Sequence, residues 1–545
     1  MGVAKIRNIL GCNAIHKARS LDVLFWEGIL NLLLRRMGWQ CCQLVICASY
    51  LMGTVVQAGE AGTIKPTQAR FVTTYESVKL PGNEKMGLLG GAILFDVRDW
   101  LSVGGGAYGA LAGQRGGFIT LGLATELHQQ IGEHVEINAG LFVGAGGGRG
   151  GFTLQGGGLM LRTHMGATLK LGEYGGIGAG ASWVDFPNGS IHSVQPYVSY
   201  MMPFSTLMPS GWVDFPEGEN VDQEHSVRTA EQEFSVVYRR YRIPSGVLTD
   251  TGTPQYNSMG LAGVEWHRYL DEHFFLKVES EGAMQGKSNG YMQILAGAGY
   301  RQPLTSSTSV KLSAALGPAG GGGVATGGGI LLDAQLTLQQ MLGEHLFVEA
   351  GAGYVKAPGG SFRAASASGM VGYRFSTPDV ADEPISIVDL AGFDARHFRI
   401  RLVNQRYLKG APNWRSHHAN LNVDLLGFQM DYFINDWFYL SGQGIGAYKG
   451  KGGGYMTGLV GGGVRLPIPG TPLFVEGDAL VGAAGGGGLD VAGGLVWQAD
   501  AGIGWQISDA YSLQAFYGIM QAPKGNFKAK VLSLSLGYYF SLPTM

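Results

Sequence analysis

Apolar and polar residues alternate along unusually long stretches of this chain. Leu332, Ala334, Leu336 and Leu338 fall on one face of a segment whose other face carries Asp333, Gln335, Thr337 and Gln339. Further on, Leu495, Trp497, Ala499, Ala501, Ile503 and Trp505 oppose Gln498, Asp500 and Gln506, and nearer the start Leu159, Leu161, Met165, Ala167, Leu169 and Leu171 oppose Arg162, His164, Thr168 and Lys170. A period of two sustained over ten or more residues predicts β-strands, and strands longer than the usual five or six. Tilted strands of about 9 to 11 residues are what a bilayer requires.

The three segments hold equivalent places in three internal repeats, which are most visible in glycine-rich stretches at Leu141 to Gly172, Ala314 to Gly343 and Ala479 to Ser508. A repeat of this kind decides the architecture before any local reading does. Each copy opens on a strand at Phe71, Phe234 or Phe398, and continues through a short acidic turn at Asp99-Trp100, Asp271-Glu272-His273 or Asp436-Trp437. Each closes on a Pro-x-Gly turn (Pro187 and Gly189, Pro358 and Gly360, Pro523 and Gly525), where Pro presets the turn dihedral and Gly accepts positive φ. Segments between turns number eight per repeat. The reading is all-β and antiparallel, with repeat 1 over 70–204, a linker over 205–232, repeat 2 over 233–375, a linker over 376–396 and repeat 3 over 397–545.

A soluble sandwich also alternates, but it buries its apolar faces against each other and needs no aromatics banded at strand ends. Here Trp100, Trp437, Phe438 and Tyr439 sit beside the short turns, and Tyr373, Phe375, Tyr538 and Phe540 close repeats. Rings at both ends of an apolar band are the girdles of a membrane barrel.

Composition agrees. Only 15% of residues are charged and Gly contributes 91 of 545, where ordinary soluble domains are about a quarter charged and about 7% Gly. No basic stripe points to nucleic acid. All four cysteines lie in the first 47 residues, within a leader in which Arg35 and Arg36 precede an apolar segment ending at Val56-Gln57-Ala58, a small-residue cleavage pattern. Residues 1–58 are read as that leader. Its removal takes six of the 39 Lys/Arg and two of the 41 Asp/Glu, leaving a Cys-free chain of net charge −6.

The last strand, Lys530 to Phe540, turns Leu532, Leu534, Leu536, Tyr538 and Phe540 outward and resembles the C-terminal assembly signal of bacterial outer-membrane β-barrels, with five residues following it. Each repeat is similar to the small eight-stranded outer-membrane barrels of the opacity and attachment type, as in the hairpin from Leu342 to Tyr354. The resemblance implies the outer membrane of a Gram-negative bacterium after leader removal, with outer-membrane lipid and the barrel-assembly machinery, reading Tyr538 and Phe540, as partners. It implies no activity, because that architecture hosts adhesins, enzymes and scaffolds alike.

Catalytic and cofactor motifs carry little. Gly146, Gly148 and Gly151 spell GxGxxG, yet no helical segment follows, and the GKS at Gly286 to Ser288 has Glu281 where a phosphate loop needs Gly. His192-Ser193 resembles the pair of lipid A deacylase barrels, but Arg363 and Lys528 replace His192 in the other repeats. No cofactor, metal or catalytic site is expected. Lumen-facing candidates are Arg162, His164, Lys170, Arg239, Glu265, His267, Lys277, Glu279, Glu281, Asp333, Gln335, Gln339, Gln498, Asp500 and Gln506.

What those side chains do depends on closure. A single transmembrane barrel of about 24 strands leaves an open lumen, whereas three tandem eight-stranded barrels leave room only for side chains. Duplication of hairpin sets and the single good assembly signal favour one barrel, hence a non-enzymatic pore or export conduit for a solute or polymer, with a polypeptide or polysaccharide partner. The alternative is a structural or adhesive surface protein of closed barrels, and the third a lipid-modifying barrel. The glycine runs, which weaken strands by about 0.5 to 1 kcal/mol per residue, read as a packing surface for another backbone.

Overall fold

The computed structural model describes residues 63–216, 227–380 and 382–545. The leader read over 1–58, with its cysteines and cleavage pattern, lies outside them, as does the middle of the first linker. The described chain is all-β and antiparallel, with 24 barrel strands of 10 to 17 residues.

They form three closed eight-stranded barrels in sequence. The single 24-stranded sheet expected from the repeats does not form. In each repeat the last strand returns to the first: Thr67 pairs with Thr206, Thr229 with Pro378 and Asp394 with Thr544, over ten, 14 and 15 positions. Closing within a repeat hides both edges at once. A shared sheet needs the linkers to act as turns, and they are elsewhere. Thr63–Ile64, before barrel 1, pairs with Ile385–Ser386 of the second linker, and Leu207, Phe215, Val380, Leu390 and Phe393 cluster with Ile64. The approaches to all three barrels thus meet at the short-turn end.

Each barrel interior has two layers. The end bearing the longer loops is closed by apolar side chains, anchored by Phe118 and Phe186 in barrel 1, Tyr291 and Phe362 in barrel 2, and Tyr455 and Phe527 in barrel 3, with ring centroids 5.6, 5.8 and 5.9 Å apart. The Pro-x-Gly turn supplies one ring in every case, although the ring changes sides of the turn. Phe186 faces Ile191 across it, while Ala357 faces Phe362 and Ala522 faces Phe527, all three pairs buried and joined by the same backbone bond of 2.9 to 3.0 Å. Below this plug the interior is polar, and strand glycines there lie under aromatic rings. A Cβ on Gly299 falls 2.2 Å from Phe275 and one on Gly504 falls 2.0 Å from Phe474, closer than any real contact. The interiors are packed like protein cores, not pores.

Outward faces stay apolar and exposed, as at Met165, Leu336, Val371 and Leu440. Trp100, Trp437 and Phe438 are exposed beside their turns, as girdle positions require. Tyr439 corrects the expected girdle: it points into barrel 3 and is 1% exposed, because strand parity puts it opposite its neighbours Phe438 and Leu440. Phe540 faces outward yet is buried, stacked on Phe398 and bridged by Ser210 of the first linker.

Candidate functional site

Alternation puts one charged network in each polar layer. In barrel 2 the first strand delivers Arg239, fully buried, to Glu279 at 2.9 Å, Glu281 at 2.8 Å, Asp333 at 2.7 Å and Glu265 at 3.6 Å. Lys277 lies 3.0 Å from both Glu265 and Glu279, and His267 Nε2 lies 2.7 Å from Glu265. Gln335 donates to Asp333 at 2.7 Å, and Gln339 to Glu233 and Glu349 at 2.9 Å. These side chains pair with one another rather than line an open lumen, and Arg239 Nε, Glu265 Oε2 and Glu281 Oε1 are buried there without a hydrogen bond.

Barrel 1 joins Arg162 to Glu76 at 2.8 Å and to His164 Nδ1 at 2.9 Å, with His164 Nε2 3.3 Å from Glu126. Lys170 lies at the short-turn rim, 3.2 Å from Glu136. Barrel 3 places Gln498 and Asp500 inside, bonded to each other at 2.5 Å, and Gln506 at the rim, 2.9 Å from Arg465. Its centre, however, is Arg399 and Arg401 with Asp431, Glu476 and Asp478: both guanidinium groups lie 2.8 Å from Asp431. Sequence reasoning missed that pair, although Phe398, Ile400 and Leu402 alternate with it and mark it inward.

A cavity of about 30 Å³ lies in barrel 1, lined by Thr74, Tyr108, Glu126, Arg162, His164 and Tyr197, among others. It has room for about two waters. Arg162 Nη2 is buried there with no hydrogen-bond partner. Of the His192-Ser193 pair, His192 points outward and contacts Asp185, while Ser193 points inward, donating to Gln195 at 2.6 Å. The two residues occupy opposite faces of one strand and form no dyad. Among the described residues no cluster of metal-ligating side chains occurs, and no helix is long and apolar enough to cross a membrane, which says nothing of strands.

The short-turn mouth of barrel 3 is covered by the first linker. Gly211 donates to Tyr539 O at 2.9 Å and Ser541 to Pro209 O at 3.0 Å. Trp212 stacks on His397 and meets Phe433 edge-on, with centroids at 5.2 and 4.8 Å.

The glycine runs join barrel to barrel. The hairpin between the third and fourth strands of each barrel seats on the glycine-rich hairpin between the fifth and sixth strands of another. From barrel 1 to barrel 2, Gly116 donates to Gly327 O at 2.9 Å, and a Cβ on Gly117 falls 2.1 Å from Gly321 N. From barrel 2 to barrel 3, the Asn289 amide donates to Ala492 O, and a Cβ on Gly290 falls 2.7 Å from Gly486 N. From barrel 3 to barrel 1, Gly454 donates to Gly146 O at 3.0 Å, Gln155 donates to Gly453 O at 3.1 Å, and a Cβ on Gly453 falls 2.1 Å from Gly156 O. On the walls beneath, Gly109 meets Pro318, Gly282 meets Ala483 and Gly446 meets Ala145 in the same order. One head-to-tail contact, used three times, closes a cycle within a single chain.

No protein-family model and no curated protein matches the chain. Among solved structures it is similar to the outer membrane protein opdK from Pseudomonas aeruginosa (9% identity, 87% of this chain and 99% of that one, TM-score 0.21) and to OpdQ of the same organism (11%, 88% and 98%, 0.21). It is also similar to the siderophore receptor PirA from Acinetobacter baumannii (9%, 88% and 81%, 0.26). Overlaps of this size carry no function across.

Proposed function

We propose that the protein is a non-enzymatic outer-membrane protein whose three closed barrels form one membrane-embedded scaffold that presents loops at one face. The observation that carries this reading is the filling of every interior: an apolar plug over a buried network of ion-paired side chains in each barrel, with exposed apolar residues on the walls. Apolar walls of this extent belong against lipid. Outer-membrane lipid and the assembly machinery that reads Tyr538 and Phe540 are the partners of this scaffold, and assembly acts before the linker covers Phe540.

A second reading, passage of material across the membrane, is favoured by the cavity beside Arg162. Its size restricts such passage through barrel 1 to water and protons unless the plug moves, and gives no path to a polymer. The decisive measurement is conductance of the purified full chain in planar bilayers. The scaffold reading expects an electrically silent membrane at porin-detecting sensitivity; stepwise openings reproducible across preparations would replace it with the transport reading.

A further inference from the structure

The two ends of the molecule differ sharply in charge. At the short-turn end Asp99, Glu133, Asp271, Glu344, Asp436 and Asp509 are exposed in hairpin turns. At the loop end the outer walls carry exposed cations instead, and several face one another across adjacent strands. Lys79 is directly opposite Lys85 in barrel 1, and Lys356 is directly opposite Arg363 in barrel 2. Arg240 and Arg242 lie on the strand next to Arg363, opposite Ala367 and Ala365, and Lys528 and Lys530 are exposed on the last strand of barrel 3, opposite Gln521 and Ile519.

Like charges directly opposite in a sheet destabilise it, so the barrel 2 cluster of Arg240, Arg242, Lys356 and Arg363 calls for anions. The described residues do not provide them. Among the described residues none of the four forms an ion pair, and the loop-end acids Glu84 and Asp250 are paired with other cations, Arg115 at 2.6 Å and Arg149 at 3.4 Å. The position of the cluster selects the kind of anion. Tyr238 and Tyr354, two residues below Arg240 and Lys356 on the same outward faces, are 41% and 48% exposed and begin the apolar belt. An anion held there sits where acyl chains end. We propose that this rim binds the phosphate of a membrane lipid headgroup, with the acyl chains lying on the Tyr238 and Tyr354 face. The inference rests on the membrane reading above.

The test is native mass spectrometry of the delipidated full chain in neutral detergent, titrated with dioleoyl phosphatidic acid, dioleoyl phosphatidylcholine or inorganic phosphate. Phosphatidic acid is expected to be retained at least about tenfold more tightly than phosphatidylcholine, with retention falling as salt rises. A cation near an anionic headgroup layer is worth about fivefold, so the variant carrying Arg240→Gln, Arg242→Gln, Lys356→Gln and Arg363→Gln is expected to lose about a hundredfold or more for phosphatidic acid and little for phosphatidylcholine. Should that variant fail to give heat-resistant barrel on electrophoresis, Lys356→Gln with Arg363→Gln replaces it, with a loss of at least about tenfold expected. Equal retention by variant and wild type, or displacement of the lipid by equimolar inorganic phosphate, overturns the proposal. Failure of the chain to enter vesicles of any composition overturns the membrane reading instead.

Discussion

Replacing Gly117 by Ala tests whether the glycine runs exist to bring backbones together. Gly117 has φ +84°, and a Cβ there falls 2.1 Å from Gly321 N and 2.4 Å from Gly320 C, both backbone atoms of the neighbouring barrel. Two costs follow. The positive φ is worth about 1 to 2 kcal/mol in any L-residue but is present whether or not the barrels touch. The overlap, typically about 1 to 3 kcal/mol for an overpacked site, is present only while they touch. Opening of the junction between barrels 1 and 2 should therefore become easier by that second amount, about 5- to 150-fold in population. The Gly116 amide, bonded to Gly327 O across the junction, reports it directly through amide hydrogen exchange of peptides spanning 112–119. Gly82→Ala is the control, with φ +74° and nothing within 4 Å of its Cβ. It should leave Gly116 exchange unchanged. If Gly117→Ala does so too, the glycines are turn formers only and the close-approach argument fails.

Two further outcomes follow from the interiors and the linkers. Arg239→Met strands Glu279, Glu281 and Asp333, each within 3 Å of the guanidinium, and is expected to cost about 3 to 5 kcal/mol in urea unfolding from lipid vesicles; a loss below about 1 kcal/mol would show that the network relaxes or takes up protons. Asp382 accepts from Ser205 at 2.5 Å and Gln68 at 3.1 Å, which holds its carboxyl below the ordinary range. A depressed carboxylate stabilises the fold above its unfolded value, near 3.9, and that contribution disappears as pH falls through the folded value. The ¹³C carboxyl resonance of Asp382 should accordingly titrate below about 3.9 and move up in Ser205→Ala; the same midpoint in both would remove the hydrogen bonds as the cause.

Local rules reached far into this fold. Period-two alternation located long strands, and its parity oriented Arg162, Arg239, Asp333 and Asp500 inward. The Pro-x-Gly turns emerged as the supports of the loop-end plugs. What stayed hidden was non-local. Whether strand eight returns to strand one or hands on to the next repeat depends on the register of edges more than a hundred residues apart, such as Thr229 with Pro378, and no local pattern distinguishes the two. Tyr439 read as a girdle ring because it neighbours two that are; parity alone, applied to Phe438 and Leu440, separates it. Arg399 and Arg401 are legible by the same parity, since Phe398, Ile400 and Leu402 alternate with them, but they lie on the first strand of barrel 3, about a hundred residues from the strand of Gln498 and Gln506 that shows the polar face most plainly.

The cycle also accounts for the linkers, which are too long for turns. Apolar walls gain little by leaving lipid for one another, so barrel association in a membrane relies on close packing and backbone hydrogen bonds, which small residues permit. Each glycine junction is such a contact, and each alone is modest. Covalent connection raises the effective concentration of the barrels for one another, and lengthening a linker costs only about 0.6 kcal/mol per doubling. The first linker uses its length to cross beneath barrel 3, where Trp212 caps the mouth, before entering barrel 2. It therefore holds the last barrel in sequence against the chain that leaves the first. Once two junctions have formed, the third brings together hairpins already in place and orders almost nothing further, so three weak contacts act as one. Three glycine runs are needed because a ring has as many junctions as members.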